Sequence, residues 1–145
     1  MSNIDKIGWL AGIVDGEGTI TITRQNRFTW FSYRPEIHIT NTNFQILKTA
    51  KQLFEKISGK KVRIFSTNLK RNVYRIRLQD TQGCLKMLEV LMPHLIGKKN
   101  QAVVLLNFLS NKGNEKWCAM QAAKIHKLNL SSSRQVPQRL HARPR

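Results

Sequence analysis

Four short stretches of this chain alternate polar and apolar residues one for one, and they come in two pairs. Thr19, Thr21, Thr23 and Gln25 alternate with Ile20 and Ile22, and Arg34, Glu36, His38 and Thr40 alternate with Ile37 and Ile39. Further on, Lys61, Arg63, Phe65 and Thr67 alternate with Val62 and Ile64, and Val73, Arg75, Arg77 and Gln79 alternate with Tyr74, Ile76 and Leu78. Successive side chains of a strand point to opposite faces, so a period of two predicts strands with one buried and one wet face. One-sided strands of this kind belong to an antiparallel sheet, because parallel sheets are covered on both faces. The first pair is joined by a long polar and aromatic loop at 26–33, and the second by a hairpin tip at 68–72 carrying Lys70 and Arg71.

Helical segments surround the two pairs. Ser2 and Asp5 have the spacing of a capping box, and Ile4, Ile7, Ala11 and Val14 recur at helical period behind it. Gly8, Gly12 and Gly16 form a second stripe on the same segment. A glycine inside a helix costs roughly 1 kcal/mol relative to alanine. Three on one stripe predict that another backbone comes close there, since small residues four apart let two helices approach. Between the strand pairs, Leu47, Ala50, Leu53, Phe54 and Ile57 give one apolar face, with Thr42 or Asn43 as its cap and Ser58-Gly59 as its stop. Later helices are expected over 81–92, ended by Pro93, over 98–112, ended by Gly113, and over 115–128. The chain thus reads as one α+β domain over 1–130. Residues 131–145, rich in Ser, Arg and Pro, read as a disordered basic tail.

With 25 basic residues against 8 acidic ones the formal net charge is +17, which points to a polyanionic partner, nucleic acid first. The basic residues are not gathered on one amphipathic helix, so a membrane surface fits less well. The wet strand positions carry Thr, Gln, Arg, His and Lys with one Glu, side chains that hydrogen-bond base edges and phosphates. A merely solvated face would mix both charges, yet every charged residue between Lys60 and Gln79 is basic. An RNA-binding sheet would want exposed aromatics for stacking, and Phe65 is the one aromatic expected on this face, which favours duplex DNA. Cys84 and Cys118 form no CxxC pair, and His38, His94, His126 and His141 are scattered, so neither a zinc site nor a disulfide framework is expected. No secretory signal and no bilayer-length apolar run is apparent. The expected setting is therefore intracellular, the cytoplasm of a prokaryote or an organelle.

Asp15 and Glu17 stand at the end of the first helix, where the helix dipole disfavours negative charge. They are either exposed residues of an Asp-Gly-Glu-Gly turn or ligands for a hard divalent cation, which takes carboxylate and carbonyl oxygens. Residues 10–18, LAGIVDGEG, resemble the LAGLIDADG motif that names a family of homing endonucleases, with Gly-Glu in place of Ala-Asp. Residues 93–102, PHLIGKKNQA, are similar to the segment where that family carries an active-site lysine at the start of a late helix. The order of elements over 2–112 also matches, while the tail is not covered.

The resemblance implies an αββαββα LAGLIDADG endonuclease-like fold, with a four-stranded antiparallel DNA-binding sheet and additional C-terminal helices. It implies an intron-encoded, single-motif homodimer that cuts double-stranded DNA at a long pseudo-palindromic site with Mg2+ or Mn2+. Glu17 then matches the metal-binding acid, with the Gly16 carbonyl as second ligand. Asp15 matches the acid that ties down the partner helix's end. Lys98, with Lys99 as its rival, matches the basic residue near the cleaved phosphate, and Asn41 the polar residue that positions water. The DNA contacts expected are Thr21, Thr23, Gln25, Arg27, Arg34, Glu36, His38, Thr40, Arg63, Phe65, Lys70, Arg71, Arg75 and Arg77. Gly8, Ala11, Gly12 and Asp15 are expected at the dimer interface. The alternatives are an RNA-splicing maturase with intron RNA as partner, or a non-cleaving DNA-binding regulator.

Overall fold

A computed structural model of the chain describes residues 2–133 apart from Leu69, with the side chains of Arg27, Trp30, Ser132 and Ser133 left out. The expected tail therefore falls largely outside the described residues. Helix α1 (Asn3–Glu17) leads directly into a hairpin of β1 (Gly18–Arg27) and β2 (Trp30–Asn41). Helix α2 (Phe44–Ser58) follows, then β3 (Ile64–Asn68), β4 (Val73–Leu78), α3 (Thr81–Leu91), a single 3-10 turn (Met92–His94), α4 (Lys99–Ser110) and α5 (Glu115–Ser133). The four strands form one antiparallel sheet in the order β1-β2-β4-β3.

Local chemistry sets the ends of these elements. The Ser2 hydroxyl accepts the Asp5 N–H at 3.1 Å while the Asp5 carboxylate accepts the Ser2 N–H at 3.0 Å, a closed capping box on α1. Asn43 caps α2 by accepting from Gln45 and Ile46 N–H, and Gly59 ends it in the left-handed region at φ 70°. The turn from α1 into β1 needs glycine for another reason. A Cβ on Gly18 would lie 2.7 Å from the Cα and carbonyl oxygen of Val14, a clash with backbone that no rotamer relieves.

Ile20, Ile37, Ile39 and Ile76 point to one side of the sheet and are fully buried. Leu10 and Val14 of α1, Leu47 and Phe54 of α2, Met87 and Leu88 of α3, Ala102 and Leu105 of α4, and Ile125 of α5 join the same cluster. All five helices therefore lie against that one face, and the opposite face carries the polar strand positions. Burying one such Ile or Leu stabilises the fold by about 1.5–3 kcal/mol, which explains why the alternation is kept so strictly on the inner side.

Three expectations are corrected. The stretch 26–33 is a tight hairpin rather than a long loop: β1 and β2 stay paired to Arg27 opposite Trp30, with only Phe28 and Thr29 in the turn. Aromatic and β-branched residues favour the pleated state, and here they extend the ladder. Ile4 is 74% exposed, because the buried stripe of α1 begins one turn later at Ile7 and continues through Leu10, Ala11 and Val14. The third strand starts at Ile64, not Lys61, so Arg63 precedes it. Among the described residues, no helix is long and apolar enough to cross a membrane.

Candidate nuclease corner and nucleic-acid interface

The end of α1, the end of β2 and the start of α4 meet at one corner. Asp15 accepts three backbone N–H groups there, from Ile96 at 2.7 Å, Gly97 at 3.1 Å and Lys98 at 2.9 Å. The unpaired amides at the start of a helix carry partial positive charge, and a carboxylate placed on them is stabilised. The Lys98 ammonium returns the contact, donating to the Asp15 carbonyl oxygen at 2.6 Å. Burial pushes the Lys98 ammonium below its ordinary pKa, and the Asp15 charge opposes the shift. Asp15 is thus engaged by α4 of its own chain, which corrects its expected place against a partner helix. Lys98 is half-buried in the corner, whereas Lys99 is exposed on the first turn of α4.

Glu17, two residues from Asp15, is exposed. The Asn41 amide donates to its Oε2, and the Asn41 Oδ1 in turn accepts the Asn43 N–H at 2.7 Å. Because the Asn43 backbone occupies the oxygen of that amide, Asn41 presents its NH2 group to Glu17. The resemblance implies a water-positioning role for Asn41, and its amide lies against the acid. Gly16 is exposed between the two acids. These oxygen donors, with a carboxylate at an exposed helix end, fit a hard divalent cation better than a soft one. Among the described residues, no three His, Cys, Asp or Glu side chains gather in a group that could hold a metal, so one chain brings a single free carboxylate to this corner.

The outer face of α1 is open. A Cβ added at Gly8, Gly12 or Gly16 would meet nothing within 4 Å, so nothing among the described residues requires glycine there. Ala11, expected beside them, is fully buried and faces the core instead. It sits on the stripe of Ile7 and Val14, about 100° around the helix from Gly12.

The polar strand positions share one face by register. Thr19 lies opposite His38, Thr21 opposite Glu36, Thr23 opposite Arg34 and Gln25 opposite Ser32. His38 is opposite Arg77, Thr40 opposite Arg75, and Arg75 opposite Phe65. Lys70, Arg71 and Arg63 are exposed at the β3–β4 hairpin and just ahead of β3. The side chain of Arg27 lies outside the described residues. Several of these side chains hold one another. Arg75 Nε donates to Thr40 Oγ1 at 2.8 Å, and the Arg77 guanidinium sits 5.1 Å from the centre of the Phe65 ring. Glu36 departs from its expected role as a free contact: it is 5% exposed and enclosed by His38, Gln79 and Arg77. Burial pushes the Glu36 carboxyl up, but the His38 hydrogen bond, the charges of His38 and Arg77 and the Gln79 amide outweigh it and hold the group below the usual carboxylate range. Ser32 joins this face although the loop expected at 26–33 hid it, and the alternation through the hairpin was the signal that would have found it.

Solved structures of known endonucleases share this architecture. The homing endonuclease I-CvuI, in complex with its target in the presence of 2 mM Ca, matches with a TM-score of 0.71 at 22% identity, over 87% of this chain and 85% of that one. The archaeal intron-encoded homing endonuclease I-Vdi141I, complexed with DNA, matches with a TM-score of 0.58 at 18% identity, over 89% and 99%. The LAGLIDADG homing endonuclease I-SmaMI, bound to cleaved DNA, gives 0.64 at 13% identity, over 97% of this chain and 50% of that one. At these identities the likeness is one of fold. No protein-family model and no curated protein sequence matches the chain.

Proposed function

Because the chain has the LAGLIDADG homing-endonuclease fold, we propose that it is a site-specific endonuclease of double-stranded DNA that works as a symmetric homodimer with Mg2+ or Mn2+. The observation that carries this reading is the division of labour between the two motif acids. Asp15 is used up by three backbone amides of α4, while Glu17 stays exposed with the Asn41 amide on it. A helix end disfavours such an acid, and a cation in front of it removes the penalty. The basic sheet face begins at the same corner, since Glu17 precedes the first residue of β1.

In this reading the exposed Gly8 and Gly12 of two chains face each other, and the two Glu17 carboxylates meet near the two-fold axis. Glu17 and the Gly16 carbonyl would hold divalent cations, which would supply activation of water and neutralisation of the phosphate and leaving oxygen. Asn41 fixes the direction of the Glu17 carboxylate. Lys98, its ammonium anchored on the Asp15 carbonyl, places positive charge where charge builds up on the phosphate. The sheet face lies in the major groove, which admits a β-ribbon, and two identical sheets select a pseudo-palindrome. The match to half of the longer I-SmaMI chain supports the need for a second copy here.

The test is incubation with a library of long random duplexes in magnesium, with the cut ends sequenced. A long, two-fold-related consensus around the cuts is expected, and its loss when the pooled duplexes are single-stranded. Binding with no cutting in either magnesium or manganese would assign the chain a regulatory role instead.

A further inference from the structure

Glu36 is the one acid on the polar sheet face, and its surroundings give it more to do than carry charge. A carboxylate this buried is uncommon unless its oxygens are paired. Here both are. Oε2 lies 2.6 Å from His38 Nδ1, and Oε1 accepts the Gln79 amide at 2.8 Å, with Arg77 Nε at 4.0 Å from the same oxygen. The three donors come from β2, from β4 and from the residue just past it, and they flank Glu36 on the face that would meet DNA. An ionised carboxylate only accepts, so Nδ1 of His38 carries the proton of that contact. Nε2 is then the ring nitrogen left to face a partner outside the cluster. Gln79, with its NH2 group turned to Glu36, has its carbonyl oxygen directed elsewhere. Arg77 is held between Oε1 of Glu36 and the Phe65 ring, so its guanidinium is restrained as well.

We propose that Glu36 is the positioning residue of a specificity-determining cluster, which orients His38, Gln79 and Arg77 so that together they read one base pair in each half-site. This rests on the reading of the sheet as a duplex-binding face. The Gln79 carbonyl oxygen, left over when its NH2 group binds Glu36, matches an exocyclic amino group, so the cluster selects adenine or cytosine over guanine or thymine on the strand it contacts. The competing account is that Glu36 only lowers the positive charge of the face. The two separate cleanly in Glu36→Gln. Glutamine fills the same space, but it offers one acceptor oxygen where two are used, so it cannot satisfy both His38 and Gln79. It also removes one negative charge.

The experiment is a position-by-position base preference, measured by equilibrium binding of a randomised duplex library in calcium, for the wild type, Glu36→Gln, His38→Ala and Gln79→Ala. For the wild type, one position per half-site is expected to favour adenine or cytosine by about tenfold. Glu36→Gln flattens that position to within about twofold of uniform, leaves the other positions alone, and holds or raises affinity for random duplex. His38→Ala and Gln79→Ala flatten the same position, and adding either to Glu36→Gln changes it no further. If Glu36→Gln tightens binding to every sequence equally and leaves the profile sharp, Glu36 is only a charge and the proposal fails. If Glu36→Gln does not fold, the two surface variants decide: effects at different positions overturn the cluster. A wild type with no sequence preference at all contradicts the duplex-reading function itself, whereas a sharp profile that Glu36→Gln leaves intact contradicts only this inference.

Discussion

The corner at the end of α1 and the polar face of the sheet are both crowded with hydrogen-bonding side chains, yet they are held in opposite ways. In the corner the side chains around Glu17 are tied to backbone, Asp15 to three amides of the α4 start, Lys98 to the Asp15 carbonyl and Asn41 to the Asn43 amide, and Asn41 in turn holds Glu17. On the sheet the side chains hold each other, Arg75 through Thr40, Arg77 through Phe65 and Glu36, His38 and Gln79 through Glu36. Backbone partners survive any substitution around them, while side-chain partners change whenever a neighbour does. A site whose geometry must not vary is best built in the first way. A surface that must be able to read different sequences with one fold is best built in the second. The corner should therefore fail all at once when it is broken, and the sheet should fail one position at a time.

The largest effect follows from the acid that does no chemistry. Asp15→Ala leaves three amides at the start of α4, that of Lys98 among them, without their acceptor, which costs roughly 1–3 kcal/mol of stability, although the backbone carbonyl that holds the Lys98 ammonium remains. Cleavage is expected to disappear along with part of the thermal stability, as seen in a melting curve beside an activity assay. A variant as stable as the wild type would mean that the α4 start does not depend on Asp15. Glu17→Gln should do the opposite: no cutting, an unchanged melting temperature and nearly unchanged duplex affinity, because the residue is exposed and the change leaves the sheet's polar side chains in place. Equal loss of binding and cutting in Glu17→Gln would erase the contrast between the two acids.

On the sheet the effects are smaller and local. Arg75→Ala or Arg77→Ala is expected to cost about 1–3 kcal/mol of discrimination at one position per half-site, with catalysis on the best remaining site retained. Wild-type specificity in both variants would show that this face is not the reader. The smallest effect is in the pH profile. In the proposed site Lys98 serves the phosphate only when charged, and burial holds its pKa below the ordinary 10.5. With the folded-state pKa lowered, that charge is lost as pH rises through the lowered value. Cleavage should therefore fall on the alkaline side before an ordinary lysine would titrate. Lys98→Arg should move that limb upward, and a limb that stays in place would assign the titration to another group.

The sheet was legible in the sequence because its strands are half-buried: Ile20, Ile37, Ile39 and Ile76 alternate with polar residues for a purely physical reason, and register then follows from alternation. The α1 cap and the α2 boundaries were legible because Ser2, Asp5, Asn43 and Gly59 act on neighbours within a few residues. What the residues alone did not reveal was long-range. The partner of Asp15 lies some eighty positions away, at Ile96, Gly97 and Lys98, and no local pattern says whose helix it caps. Ala11 is expected at the dimer interface, although its place on the stripe of Ile7 and Val14 carries it into the core. Glu36 looked like one more outward polar residue, since period two reports a side of the sheet and not whether neighbouring side chains close over it.

The central claim is that one chain brings only half of a metal site, so that two exposed glycine stripes must meet to complete it. Sedimentation at micromolar concentration tests it most directly, on the wild type and on Gly12→Leu, each free and mixed with its duplex. The expected wild-type species has twice the 16.8 kDa mass of the chain, and Gly12→Leu loses the dimer and the cutting together. A wild-type monomer of 16.8 kDa, both free and on DNA that it cuts, would contradict the account, because a single Glu17 would then be sufficient.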